Sequence, residues 1–301
     1  MTDNRLPLTI LGGWLGAGKT TWLRHQLHTG LRAHVIVNEA AGVAVDDALL
    51  SQAEGVEVLA GGCACCDGRR HLVAALHALA DRRSGGEAVP DIILETSGLA
   101  DPAAIITALA DDPILVRHFR LTGTTVLVDA ANGAAELAAG TLVIRQIRAA
   151  TALILTKTDT APSLATARLA ATLAVLNPLA TLSAAVAGTA APLPALGANP
   201  LPLGQAERAV TAVTLPIPQG ADWASLSLWL SAVLHAHGDR LIRLKGVVQT
   251  PAGRLLIQTV RKTVQPPEML PAGIGTDDVL AVIGESPDVA ALRECLTRFL
   301  A

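Results

Sequence analysis

Short runs of aliphatic residues alternate, in the first part of the chain, with longer segments whose apolar positions recur every three or four residues. The runs are LTILGG (8–13), HVIVNE (34–39), DIILET (91–96), TTVLVDA (124–130) and ALILTK (152–157). Between two of them, Leu72, Val73, Leu76, Leu79 and Ala80 fall at helical spacing. Strands separated by helices need crossover connections, so the pattern predicts βαβ units and a mostly parallel sheet covered by helices. The stretch GTAAPLPALGANPLPLG (188–204) has no such period and reads as a linker. After it, RAVTAVTLPI (208–217) precedes a helical pattern through Trp223, Leu226, Leu230, Val233 and Leu234. RLIRLKGVVQ (240–249) and RLLIQTV (254–260) suit a hairpin across TPAG, and VLAVIG (279–284) and a terminal helix follow. The expected organisation is an α/β domain over 1–187, a Pro/Ala/Gly-rich linker over 188–207 and a smaller α+β domain over 208–301.

Composition narrows the partners. With 301 residues, 51% of them hydrophobic, the chain has ample material for buried cores. Its mean hydropathy of +0.45 comes from dispersed Ala, Leu and Val. The most apolar stretch, 169–188, is interrupted by Asn177 and Pro178, so no membrane span is expected. MTDNRLPLTI enters a strand without a basic and then apolar leader, which points to the cytoplasm. A net charge of -3, 2% aromatic residues and no Tyr provide neither a basic footprint nor stacking platforms for nucleic acid.

The chemistry starts at Gly13-Trp14-Leu15-Gly16-Ala17-Gly18-Lys19-Thr20, which fits G-x-x-x-x-G-K-[ST] between a strand and a helix. In such a P-loop, Gly13, Gly16, Ala17 and Gly18 turn backbone amides toward phosphate at a helix N-terminus. Lys19 adds charge for the β- and γ-phosphates, the Thr20 hydroxyl suits Mg²⁺, and Thr21 follows in the first helical turn. A second element, IILETSG, ends a strand in Glu95 with Gly98 three residues on. A carboxylate there reaches the Mg²⁺ shell and a glycine lets an amide approach the γ-phosphate; alone, the pattern equally describes a solvated acid at a strand end. The third is Thr156-Lys157-Thr158-Asp159, similar to the guanine-reading Asn-Lys-x-Asp. Asp159 can accept from guanine N1–H and the exocyclic amine, groups that adenine lacks, while Thr at the first position offers a shorter anchor than Asn. Asn177-Pro178 suits either backbone contacts to the base or a plain turn.

Three of the four cysteines, Cys63, Cys65 and Cys66, fall in GGCACC. In a reducing compartment they read as thiols or metal ligands rather than disulfides. Thiolates suit Zn²⁺ and Co²⁺, and preceding glycines let sulfurs converge; packing beneath a loop is the other reading. Cys295, beside Leu292, Leu296 and Phe299, is expected in a core, and His235 and His237 at an exposed helix end.

In order, GGWLGAGKTT, VNEAAGVAVDD, GGCACC, ETSGLADP and LTKTD resemble the CobW-like GTPases, relatives of the nickel-insertion GTPases for urease and hydrogenase, and RLIRLKG and LLIQTV extend the resemblance into the second domain. It implies a P-loop GTPase fold with a smaller α+β C-terminal domain. It also implies GTP/GDP and Mg²⁺ as ligands, slow GTP hydrolysis with Lys19 and Glu95 at the reacting phosphates, and Cys63, Cys65 and Cys66 as ligands of a transition metal, Zn²⁺ or Co²⁺. The metal would pass to a client metalloprotein or metal-cofactor enzyme, with a nucleotide-dependent homodimer as a further partner. Where the family has Asn-Glu-Phe-Gly-Glu, this chain has Asn38-Glu39-Ala40-Ala41-Gly42. Glu39 stays as a candidate ligand and the second acid is lost to Gly42; water or a partner subunit are the other candidates for the remaining position. Trp14 replaces the family's Phe, as packing or as a lid. Two competing readings are a nucleotide-regulated module with structural or redox cysteines, and a small-molecule kinase, which Asp159 opposes.

Overall fold

The computed structural model describes residues 3–38, 53–59, 69–195, 197–202, 210–218, 222–238, 240–260, 262–264, 267–270, 278–285 and 289–300. The chain divides into two compact units, Met1–Leu203 and Gly204–Ala301.

The first unit runs β1 (Leu6–Gly12), α1 (Lys19–His28), β2 (Ala33–Asn38), β3 (Gly55–Leu59), α2 (Arg69–Ser84), β4 (Asp91–Thr96), α3 (Pro102–Asp111), α4 (Pro113–His118), β5 (Phe119–Asp129), α5 (Gly133–Ala139), α6 (Thr141–Ala149), β6 (Ala152–Thr156), α7 (Ser163–Leu176), β7 (Thr181–Val186) and β8 (Thr189–Ala191). Its sheet has the order β3-β2-β4-β1-β5-β6-β7-β8, and every pair is parallel except β7 with β8. Consecutive residues are buried through β2 and from Ile92 to Thr96 of β4, so both faces of these strands are covered. This is the mostly parallel α/β sheet that the apolar runs predict.

Three differences from the pattern have local causes. β3 is not among the predicted strands: its run GVEVL is short and broken by Glu57, and as the edge strand it leaves Val56 and Val58 exposed. β5 starts at Phe119 rather than 124, because Phe119, Arg120 and Leu121 pair with Leu6, Pro7 and Leu8 of β1 ahead of a register shift at Leu8/Thr9, where Thr122 is the extra residue. The Pro- and Ala-rich stretch from Gly188 contributes β8, which returns on β7 through Ala187 (φ 49°) and Gly188 (φ 92°), the positive pair that a two-residue hairpin turn uses. Beyond it, Leu201 N–H donates to Thr172 Oγ1 (2.8 Å) and Arg168 Nε to the Asn199 carbonyl (3.1 Å), so Asn199 and Leu201 are pinned along α7.

The second unit contains β9 (Val210–Pro216), α8 (Trp223–His237), β10 (Leu241–Thr250), β11 (Gly253–Val260), β12 (Thr263–Val264), β13 (Glu268–Met269), β14 (Val279–Glu285) and α9 (Val289–Leu300). β12-β11-β10-β14-β9 form an antiparallel sheet, with β13 on β11, and the predicted hairpin pairs Thr250 with Gly253. Leu226, Trp229, Leu230, Val233 and Leu234 of α8 share a core with Leu244, Val248, Val282, Leu292 and Leu296. Cys295 packs partly buried against that core, and His235 and His237 are exposed at the end of α8. No described helix is long and apolar enough to cross a membrane.

Candidate nucleotide site

The site forms where β1, β4, β5 and β6 end on one edge of the parallel sheet. β1 stops at Gly12 and α1 begins at Lys19, so the six residues between make the turn. Gly16 (φ 76°) and Gly18 (φ 89°) are left-handed. Gly13 (φ 133°) lies against β5, where a Cβ would stand 2.5 Å from the Leu127 carbonyl oxygen. Trp14 is buried in the core of the unit, which makes it packing rather than a lid, while Leu15 at the loop tip is 81% exposed.

Lys19 is buried, and its Nζ donates to the carbonyls of Gly13 (2.8 Å) and Trp14 (3.2 Å), so the ammonium folds back over the loop it serves. Thr20 Oγ1 donates to Glu95 Oε1 at 2.7 Å. That contact follows from register: β4 lies beside β1 with Glu95 opposite Leu11, which brings a buried carboxylate under the start of α1. Gly98, after β4, approaches the same loop, and a Cβ there would stand 2.4 Å from the Leu15 nitrogen. Thr21 is exposed on the first turn of α1.

On the other side, Thr156 Oγ1 donates to the Ala17 carbonyl (2.9 Å), so the threonine that replaces asparagine still ties its loop to the P-loop. Lys157 holds a left-handed φ of 55° and spans the site, donating to the Gly16 carbonyl and to Asp129 Oδ2, both at 2.8 Å. Burial opposes the charge on Asp129. Lys157, Asn132 Nδ2 (3.0 Å) and the Ala131 N–H (2.8 Å) outweigh it and hold the carboxyl below its ordinary range. Asp159 is exposed and has no hydrogen-bond partner among the described residues. Asn177 is buried, and its Nδ2 donates to the carbonyls of Ile147 (2.7 Å) and Ala150 (2.9 Å). Its side chain thus secures the end of α6, a structural task.

The sequence-predicted Gly13, Gly16, Ala17, Gly18, Lys19, Thr20, Glu95, Gly98, Thr156 and Lys157 therefore converge on one sheet edge. Pattern reading passes over Asp129, a strand-end acid, and Gln146, a polar residue among the apolar positions Val143, Ile144 and Ile147 of α6. Cys63, Cys65, Cys66, Glu39 and Gly42 lie outside the described residues. Among the described residues no group of three or more His, Cys, Asp or Glu could hold a metal ion. The flanking strands β2 and β3 run parallel to β4, so Asn38 and Leu59 leave the sheet at the edge where Glu95 lies.

The sequence model described as "CobW/HypB/UreG, nucleotide-binding domain" matches residues 7–184. The one described as "Cobalamin synthesis protein cobW C-terminal domain" matches residues 210–300. The Escherichia coli (strain K12) protein named zinc chaperone YjiA is 38% identical over 162 residues, which cover 52% of this chain and 51% of that protein. The Pseudomonas aeruginosa protein named zinc chaperone CobW is 40% identical over 116 residues, covering 35% and 30% respectively. The matched stretch thus spans about half, or less, of these curated relatives. The crystal structure of Zn(II)-bound YjiA GTPase from E. coli aligns over 99% of both chains with a TM-score of 0.65 and 24% identity, a likeness of fold. A Zn(II)-bound triple mutant of YjiA, in which one Glu and two Cys are replaced by Ala, aligns over 99% of this chain and 100% of its own with a TM-score of 0.69 and 23% identity.

Proposed function

The chain belongs to the CobW/HypB/UreG nucleotide-binding family, and from that premise we propose that it binds and hydrolyses GTP and uses the nucleotide to load a transition metal into a client metalloprotein or metal-cofactor pathway. The carrying observation is the Thr20–Glu95 contact of 2.7 Å beside a P-loop whose lysine is already folded over it. A hydroxyl and a carboxylate are hard oxygen donors, which fit Mg²⁺ as two ligands that leave room for phosphate and water. Bound there with GTP, the ion would neutralise charge on the β- and γ-phosphates. Lys19, on leaving the Gly13 and Trp14 carbonyls, can place its ammonium on the same oxygens, and the Gly13–Gly18 amides can surround them. Thr156 and Lys157 brace the base loop against the P-loop, and Asp159 is left to read guanine. The cargo is a metal of the thiolate-binding class, zinc being the ion that the relatives' names carry. Support for Cys63, Cys65 and Cys66 as its ligands is the motif itself. Zinc in a relative does not by itself point to cysteine, since the YjiA variant that lacks two Cys and a Glu is also Zn(II)-bound.

Phosphate release from GTP and bound metal, assayed with GDP and with a non-hydrolysable GTP analogue, test the two halves of the proposal. Lys19→Ala should abolish turnover, and wild type should hold about one metal ion more than Cys65→Ser in the analogue-bound state. Turnover undiminished by Lys19→Ala would overturn the site assignment. Equal metal content in both proteins would overturn the cargo role of the cysteines.

A further inference from the structure

Gln146 is fully buried on the apolar side of α6, an expensive place for a primary amide unless its donors are satisfied. Both needs converge on a single loop: Nε2 donates to the carbonyls of Gly98 (3.1 Å) and Ala100 (2.8 Å). Its Oε1 is buried with no partner among the described residues. An aliphatic side chain would fill the position at lower cost, so the amide is explained by what it holds rather than by packing.

The loop it holds joins Glu95 to α3, and its other side abuts the P-loop. The Ala100 N–H closes a turn on the Ser97 carbonyl (3.1 Å), and the place of a Gly98 Cβ is taken by Leu15 backbone. With the Gly98 carbonyl fixed toward α6, the planar trans peptide sends the Leu99 N–H the opposite way, away from α6. The preceding residue of the helix reinforces the arrangement, since Arg145 Nε lies 3.1 Å from Asp101 Oδ2, and Asp101 caps α3 through the Ala103 N–H. α6 is itself held at its far end by Asn177 and passes directly into β6, which carries Thr156 and Lys157.

We infer that Gln146 is a positioning residue of the nucleotide site: from α6 it latches the Gly98 loop against the P-loop, in the pose that serves the terminal phosphate of GTP. The inference rests on the GTPase reading above, and it separates GTP from GDP. A loop that serves the γ-phosphate contributes to binding and turnover of GTP, while GDP leaves it unused.

Gln146→Met keeps the length and shape of the side chain and removes both donors. Gln146→Glu keeps the shape and sets a carboxylate against two carbonyls. For each variant that melts cooperatively, kcat and KM for GTP are measured beside affinities for GDP and a non-hydrolysable GTP analogue. The expected result is a fall in kcat of about tenfold or more and a loss of analogue affinity, with GDP affinity within about threefold of wild type. Either folded variant having wild-type kcat and analogue affinity would overturn the latch, and so would losses equal for GDP and analogue, which mark a merely structural role. If neither variant folds, wild type is assayed by hydrogen exchange of the 97–101 amides: stronger protection with analogue than with GDP supports the latch, and equal protection overturns it. Wild type that neither binds nor hydrolyses GTP would defeat the GTPase reading and this inference together, whereas active wild type with unaffected variants defeats this inference alone.

Discussion

Asp159, the acid proposed to read guanine, is exposed, and its neighbours already have partners. Thr156 and Lys157 spend their polar groups on the Ala17, Gly16 and Asp129 oxygens, which fixes the loop and leaves the Asp159 carboxylate without a partner among the described residues. Two hydrogen bonds from guanine N1–H and its amine to a charged acceptor contribute roughly 1.5–3 kcal/mol each. Asp159→Asn should therefore weaken GTP binding by at least about tenfold and improve binding of xanthosine triphosphate, whose ring presents an acceptor where guanine has its amine. Competition between the two nucleotides on wild type and variant reads this directly, and an unchanged preference would remove Asp159 from the base site. The brace beneath is charge-dependent as well. Asp129 has its carboxyl held below the ordinary value of 3.8, so its contribution to stability is complete above that pH and is lost as the pH falls through the lowered value.

At the scale of the element, what could be read from sequence was what repeats along the chain, and what escaped was what depends on pairing across it. Runs such as DIILET and ALILTK announce buried parallel strands because both faces are apolar, and the glycine spacing of 13–18 announces the loop between β1 and α1. β3 escaped because an edge strand needs burial on less of its surface, and β8 because its three small residues carry no period. Gln146 escaped for a related reason: a polar residue on an apolar helix face gains meaning only when the loop carbonyls opposite it are known. The β2/β3 edge makes its own prediction. His34 of β2 is buried over Gly55 of β3, where a Cβ would stand 2.4 Å from Nδ1, and Glu57 Oε2 lies 3.9 Å from Nε2. Burial pushes the imidazole below 6.5 and Arg82 adds to this, against the opposing pull of Glu57 and Glu87. With the folded value depressed, the unfolded chain takes up the proton first. Stability is then full above about pH 6.5 and declines as the pH falls from there toward the folded value. Chemical denaturation between pH 5 and 7.5 should show that slope, and His34→Gln should flatten it. A variant that keeps the full wild-type slope would assign the titration elsewhere.

For the whole molecule, the proposed function is a statement about linkage, and the topology supplies a reason for it. Residues 39–54 connect β2 to β3 and residues 60–68 connect β3 to α2. Both connections start from the sheet edge where the P-loop, Glu95 and the Gly98 loop meet. Glu39 belongs to the first and Cys63, Cys65 and Cys66 to the second: Glu39 directly follows β2, the neighbour of the Glu95 strand, and the cysteines follow β3, one strand further out. In the proposed function a nucleotide that rearranges this edge would change metal affinity, and the thermodynamic cycle then requires metal to change nucleotide affinity by the same factor. Typical couplings of about 1–3 kcal/mol correspond to roughly 5- to 150-fold. Titrating a non-hydrolysable GTP analogue into zinc-free and zinc-loaded protein, and zinc under chelator competition into free and analogue-bound protein, should give matching ratios within that range. GDP, which lacks the phosphate nearest Gly98 and Glu95 in the proposed pose, should give a ratio near one. Cys65→Ser should bring the analogue's ratio to one as well while leaving GDP affinity in place, because it removes a proposed metal ligand and leaves the P-loop sequence unchanged. Equal analogue affinity with and without zinc in the wild type would sink the coupled metallochaperone, and would leave a GTPase whose cysteines serve some other end.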